Sequence, residues 1–378
     1  MIYWGIASLA TAYFLAAIIS HSGKFEYLDL RHKRIGALDG LRGYLALFVF
    51  LHHFAITLQW KSTGIWTKPP SIVFQNMGKV GVSIFFMITG LLFIYRLSTA
   101  DSICWKRLFS SRIFRIYPLF IFALLLISTI VFSNSAWSIN VPKQQLASEY
   151  VKWLFLIGGN INNYGHTTLI IAGVHWTLRY EWIFYLLLPA IAFSMKRSKI
   201  LLTLIFITPF LLLVIDPDIP YINTKFFILF CGGAAVVPLL KNKTLVSIAK
   251  SRMFSIISIC ALATSLLSAK AFSPIQLASS FLFFTIVALG NDLFGLLSQK
   301  SSLILGEISY SIYLLHGIVL YLIFTVYPSL QIDMTNQESF LKFMPIITIA
   351  VTLFSSLTFL MIESPSMSFG KKLWRTKS

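Results

Sequence analysis

The feature that most constrains this chain is a succession of apolar stretches, each about as long as a bilayer is thick. The first covers 2–20. Others follow at about 39–58, 80–97, 113–133, 176–195, 199–215, 223–240, 253–270, 274–290, 303–326 and 342–362. At about 1.5 Å rise per residue, some 20 helical residues cross a hydrocarbon core of roughly 30 Å. Hydrophobic residues make up 57% of the 378 and charged ones only 12%, too few to cover a water-soluble surface. The expected fold is an all-α polytopic membrane protein with eleven transmembrane helices in one membrane domain. The net charge of +18 then reads as the positive-inside bias of a multi-span protein, and no nucleic-acid partner is expected.

The run at 2–20 lacks the basic region that precedes a secretory signal core, and the basic segment Lys24–Arg34 follows it. It reads as a retained N-terminal transmembrane helix with a basic cytoplasmic linker, together spanning 1–35. With the N-terminus outside, the inner connections collect 22 Lys and Arg residues, among them Arg31, Lys33, Arg34, Lys371, Lys372, Arg375 and Lys377. The outer connections collect eight, and Arg179 is left inside a span. The asymmetry predicts an outer N-terminus and a basic cytoplasmic tail over 367–378. Cys104, Cys231 and Cys260 form no CxxC, zinc spacing is absent, and no metal is expected.

Four segments carry candidate chemistry. In Leu38–Phe54, Arg42 and His53 lie eleven positions apart. At about 100° per residue that is about 20° past three turns, so both lie on one helix face, roughly 16 Å apart. With Arg42 at a membrane surface, His53 falls near the midplane, where an ionisable side chain marks a functional pathway. His52 points about 100° away, which argues against a metal shared by the two rings. Asp39 either locks Arg42 or caps the helix. In Arg112–Pro118 two arginines, Arg112 and Arg115, share a face at the inner surface. There a fork of donors suits phosphates, with Tyr117 beside them and Lys106 and Arg107 extending the patch. In Trp176–Glu181, Arg179 and Glu181 enter a span two residues apart and point in different directions, so Glu181 needs a partner of its own. In Ser309–His316, Ser309, Tyr313 and His316 form one polar stripe, read as helix packing in preference to a cavity lining. The outer connection 134–175, with Gly158–Asn160 and Asn162–His166, is either a sugar contact or a plain connector.

Taken in order, these segments resemble acyltransferase family 3, the membrane-bound O-acyltransferases of the O-antigen and exopolysaccharide acetylase type. Asp39–Gly43 matches its Asp-Gly-Leu-Arg-Gly element, and His53, not His52, matches its histidine eleven positions after the arginine. Phe85–Gly90 matches Phe-Phe-x-x-Ser-Gly with Thr89 for Ser, and Arg112–Pro118 matches Arg-x-x-Arg-x-Tyr-Pro. Trp176–Glu181 matches Trp-Ser-Leu-x-x-Glu with Thr177 for Ser, and Ser309–His316 matches Ser-Tyr-x-x-Tyr-Leu-x-His. The resemblance covers about 36–366 and implies a ten-helix core, with 2–20 as an added helix. Many relatives carry a C-terminal SGNH hydrolase-like domain; this chain stops soon after Glu363-Ser364-Pro365, so transfer is expected to be completed without it.

The resemblance implies acetyl-CoA as acyl donor and a glycan or lipid-linked glycan as acceptor at the inner membrane. His53, Arg42, Glu181 and Asp39 are the implied catalytic set, with Arg112, Arg115, Arg42 and Tyr117 binding the CoA moiety. His53 is expected to work as a general base, with an acyl-histidine intermediate as the variant. A proton-coupled transporter or flippase is the alternative from another class, though no inverted repeat is visible. A succinyl donor is a third reading, resting on Arg179 as an unassigned cation.

Overall fold

The computed structural model describes residues 1–28, 36–197, 199–215, 217, 219–327 and 337–374. The expected inner charges Arg31, Lys33, Arg34, Arg375 and Lys377 lie outside the described residues. The helices are α1 (Ile2–Ser20), α2 (Gly36–Thr63), α3 (Ile72–Thr99), α4 (Trp105–Asn134), α5 (Lys143–Leu154), the single turn α6 (Thr167–Ile170), α7 (Trp176–Arg197), α8 (Lys199–Ile215) and α9 (Phe227–Ala235). They continue with α10 (Lys243–Ala249), α11 (Arg252–Leu267), α12 (Pro274–Ala288), α13 (Lys300–Glu307), α14 (Ser309–Tyr321), α15 (Gln337–Lys342), α16 (Met344–Thr358) and α17 (Ser364–Lys372). π-helical turns extend α14 over Leu322–Val326 and α16 over Phe359–Glu363.

The protein is an all-α polytopic membrane protein. Each of the eleven apolar stretches is helical over most of its length. Among the described residues, seven helical stretches are long and apolar enough to cross a bilayer, or eight if α10 and α11 count as one span bent by 72°. The bend has a local cause. Ser251 caps α11 through its hydroxyl, which accepts from the amide of Phe254. Ser273 caps α12 in the same way, with Pro274 at the first helical position where its missing N–H costs nothing.

Two compact units make up the chain: Met1–Phe85 with Pro238–Phe359, and Phe86–Val237 with Leu360–Ser378. In the first unit α2 is the central helix, flanked by α13, α14 and α12, and α1 packs on α16 and α13. α2 is enclosed over 78% of its apolar window and α1 over 22%, so α2 is the buried helix and α1 the peripheral one. The crossing of α2 and α13 is backbone on backbone. A Cβ at Gly306 would fall 1.9 Å from the Asp39 carbonyl oxygen. Lipid offers no hydrophobic drive for helix association, so such close approach through glycine supplies the packing. Phe54, Phe324 and Phe340 fill the core of this unit.

In the second unit the same device joins α3 to α9. A Cβ at Gly90 would lie 2.1 Å from the Phe230 carbonyl oxygen, so the glycine ending the Phe85–Gly90 element is a packing residue. Phe86 stacks on Phe230 at 4.7 Å and Phe184 on Phe230 at 4.5 Å, an aromatic core that fixes α7 beside α9. α17 lies along α4, with Phe369 edge-on to Phe114 at 5.5 Å.

Candidate active site

In the first unit α2 carries Arg42 and His53 on one face of an unbroken helix. His53 is half-buried, and His316, on α14, is fully buried. Their rings meet, with His316 Nε2 2.9 Å from His53 Nδ1. Two helix carbonyls decide where the protons sit. His316 Nδ1 lies 2.9 Å from the Ile312 oxygen, and His53 Nδ1 lies 3.0 Å from the Val49 oxygen. A carbonyl only accepts, so both Nδ1 atoms carry hydrogen. The Nε2 of His316 then accepts from His53 Nδ1–H, and the lone pair of His53 is left on Nε2. One neutral arrangement satisfies all three contacts, and it presents His53 as a proton acceptor with its ring orientation fixed from behind.

His52, one residue away, does something else. Its Nδ1 donates to the Phe74 oxygen at 2.8 Å, and its ring fills the space beside Gly78, where a Cβ would fall 2.4 Å from the His52 Cδ2. It is a packing residue between α2 and α3. Arg42 lies 3.9 Å from the Asp39 carboxylate, both partly exposed, a long and therefore weak ion pair.

The second unit holds a different cluster. The Tyr185 hydroxyl donates to Glu181 Oε2 at 2.8 Å, one turn along α7. The Arg112 guanidinium stands over the Phe93 ring at 5.4 Å, close enough to the Tyr185–Glu181 pair for charge to act between them. Arg115 reaches the Met367 sulfur at 4.0 Å. Lys106 and Arg107, one to two turns earlier on α4, are exposed.

The family model for the acyltransferase domain of acyltransferase family 3 matches residues 35–362. This chain belongs to acyltransferase family 3. No curated protein matches it, and no solved structure does.

In this membrane acyltransferase several expected roles change once neighbours are known. Asp39 is not a helix cap: α2 begins at Gly36, so Asp39 stands in the first turn, facing Arg42. Arg179 is not an unassigned cation. Its donors clamp the carbonyls of Leu156, Ile157 and Tyr221, which ties the outer connection to α7 and removes the support for a dicarboxylic donor. Tyr117 donates to the Leu154 carbonyl at 3.2 Å and leans on Trp182, so it anchors α5 to α4. Arg112 and Glu181, assigned by loop charge to opposite ends of their spans, meet around one tyrosine.

The outer connection is also more than a link. The buried Glu149 accepts from the Asn162 amide at 2.9 Å, and Asn162 in turn accepts from the Asn140 amide and donates to the Ser138 carbonyl. Asn162 and Asn163 hold the left-handed conformation that asparagine tolerates. His175 leans on Trp153 at 4.8 Å with the ring planes 38° apart, and burial pushes its imidazole down to about 4.

Two residues escaped the sequence reading. Tyr185 was signalled only by its i+4 spacing from Glu181. His316 was assigned to packing, although its place at the end of a polar stripe marked it as the member most able to reach another helix.

Proposed function

We propose that this membrane acyltransferase moves an acyl group, acetyl foremost, from cytoplasmic acyl-CoA to a hydroxyl of a cell-surface glycan such as O-antigen or an exopolysaccharide. The protein would sit in the inner membrane, N-terminus outside and C-terminus cytoplasmic, in keeping with the charge asymmetry of its loops. The resemblance supports the donor and acceptor classes. The observation that carries the chemistry is the His53–His316 contact at 2.9 Å, with both Nδ1 atoms directed at helix carbonyls.

In this reading His53 Nε2 takes the proton of the acceptor hydroxyl as that oxygen attacks the thioester carbonyl. The C–S bond breaks, the ester forms, and His53 returns the proton to the departing thiolate, so the ring ends neutral. His316 keeps Nδ1–H in place throughout. Arg42, roughly 16 Å along the helix, is too distant to touch the reacting carbonyl and is assigned to the carrier arm of the donor. The second unit's Arg115, Lys106 and Arg107 are the cations proposed for CoA phosphates. Arg112, over the Phe93 ring and beside Tyr185, sets the shape of that patch.

The test is thiol release from acetyl-CoA by purified protein in nanodiscs, with and without membrane glycan acceptor. Acceptor-dependent release is expected, and His53→Ala should cut it by about 10²–10⁴-fold while the protein inserts normally. Thiol release in the mutant within tenfold of wild type would remove His53 from the chemistry. One equivalent of thiol released without acceptor would move the mechanism to an acyl-histidine.

A further inference from the structure

α2 carries a third member on the face of Arg42 and His53. Trp60 lies seven positions beyond His53, within about 20° of it and about 10 Å further along the helix. Trp60 does not stand alone. Its ring stacks on Tyr321 at 6.1 Å with planes 24° apart, and meets Trp66 edge-on at 5.4 Å. Trp66 belongs to the connection after α2. Gly64, in the left-handed conformation at φ 76, closes the helix by donating to the Trp60 carbonyl at 2.8 Å and turns the chain back. Pro69 and Pro70 then restrict the same connection. The result is a half-buried indole whose plane lies within 21° of the His53 imidazole, 6.4 Å away between centroids.

From this arrangement we infer that Trp66, held by Trp60, which Tyr321 backs in turn, is the platform on which a pyranose ring of the acceptor stacks while one of its hydroxyls meets His53 Nε2. A pyranose has an apolar C–H face and a rim of hydroxyls. An aromatic face takes the first, and a proton acceptor beside it takes one of the second. A packing role alone would not call for an indole on a connecting segment, parallel to the ring of the base. The platform stands on the C-terminal side of His53 and Arg42 on the other. One helix face thus orders the donor's arm, the base and the acceptor in a line. The inference rests on the acyltransferase reading above for the identity of the base, but the binding arm of its test does not depend on turnover.

The experiment uses the full chain in nanodiscs and a panel of methyl glycosides of glucose, galactose, mannose and rhamnose. Saturation-transfer NMR reads binding; thiol release from acetyl-CoA reads transfer. In Trp66→Ala the saturation of the sugar ring protons should vanish and the acceptor KM should rise roughly tenfold, with the KM for acetyl-CoA unchanged. Trp66→Phe should restore most of both, and an unchanged elution profile shows that the variants fold. An acceptor KM unmoved in Trp66→Ala, or wild-type protein that saturates none of the glycosides, overturns the platform and leaves the acyltransferase reading standing. Binding that depends on Trp66 in a protein that releases no thiol overturns that reading and keeps the platform.

Discussion

The two units of this acyltransferase solve opposite problems with polar groups inside an apolar protein. The first unit gathers His53 and His316 as neutral rings whose protons are assigned by helix carbonyls and by each other. The second gathers Arg112, Tyr185 and Glu181, where a hydroxyl stands between a cation and an anion. A neutral pair leaves a lone pair available to a passing hydroxyl. A charged cluster holds its members in one place and resists change, because loss of one member strands another's charge. In the proposed reading, the comparison separates a place suited to proton transfer from one that fixes the geometry of an arginine patch.

Substitutions sharpen or break this comparison. The largest effect after that of His53→Ala is expected at His316. His316→Ala removes one of the two acceptors of His53 Nδ1–H, leaving the Val49 carbonyl, and should lower acceptor-dependent thiol release by ~10–100-fold. His316→Gln, which restores an acceptor oxygen, should recover part of the rate. Equal activity in wild type and His316→Ala would end the case for a paired base. In the second unit the loss should appear as stability. Arg112→Ala removes the cation beside the Tyr185–Glu181 pair and should cost about 2 kcal/mol, read as a lower melting temperature and less protein in the membrane. Arg112→Ala combined with Glu181→Gln should restore much of that stability without restoring transfer. If the single mutant is as stable as wild type, the cluster is not a structural unit.

The smallest expected effect concerns the outer connection. His175 is buried beside Trp153 with its imidazole pushed down to about 4, against about 6.5 for the unfolded chain. The folded form therefore binds its proton later than the unfolded form as pH falls. Its contribution to stability is full above about pH 6.5 and declines from there down to about pH 4. The melting temperature should drop more between pH 7 and pH 4.5 in wild type than in His175→Phe, measured by scanning fluorimetry. Parallel pH profiles would show that His175 is charged in the folded protein.

Much of this was readable in the chain. The helical period alone put His53, not His52, on the face of Arg42, because eleven steps close three turns and ten do not. The same period sent Arg179 and Glu181 in different directions. They indeed meet different partners, loop carbonyls for one and Tyr185 for the other. What the period could not supply was the identity of neighbours on other helices. His52 is a packing residue only because Phe74 offers a carbonyl and Gly78 leaves room. The asparagines of the outer connection satisfy its own backbone, a matter of φ angles and distant amides that polar composition does not reveal.

By itself the sequence determined the all-α membrane class, the family and the face of α2 that carries Arg42, His53 and Trp60, because hydropathy and the 3.6-residue turn act within one segment. Tertiary structure alone decided that His53 meets His316, a residue 263 positions away. It also decided that Arg112 and Glu181 share a tyrosine and that Arg179 holds a loop. Hydrogen bonds between helices depend on which backbones pack close enough to let side chains touch. Glycines such as Gly306 and Gly90 permit that approach without announcing which helix will arrive.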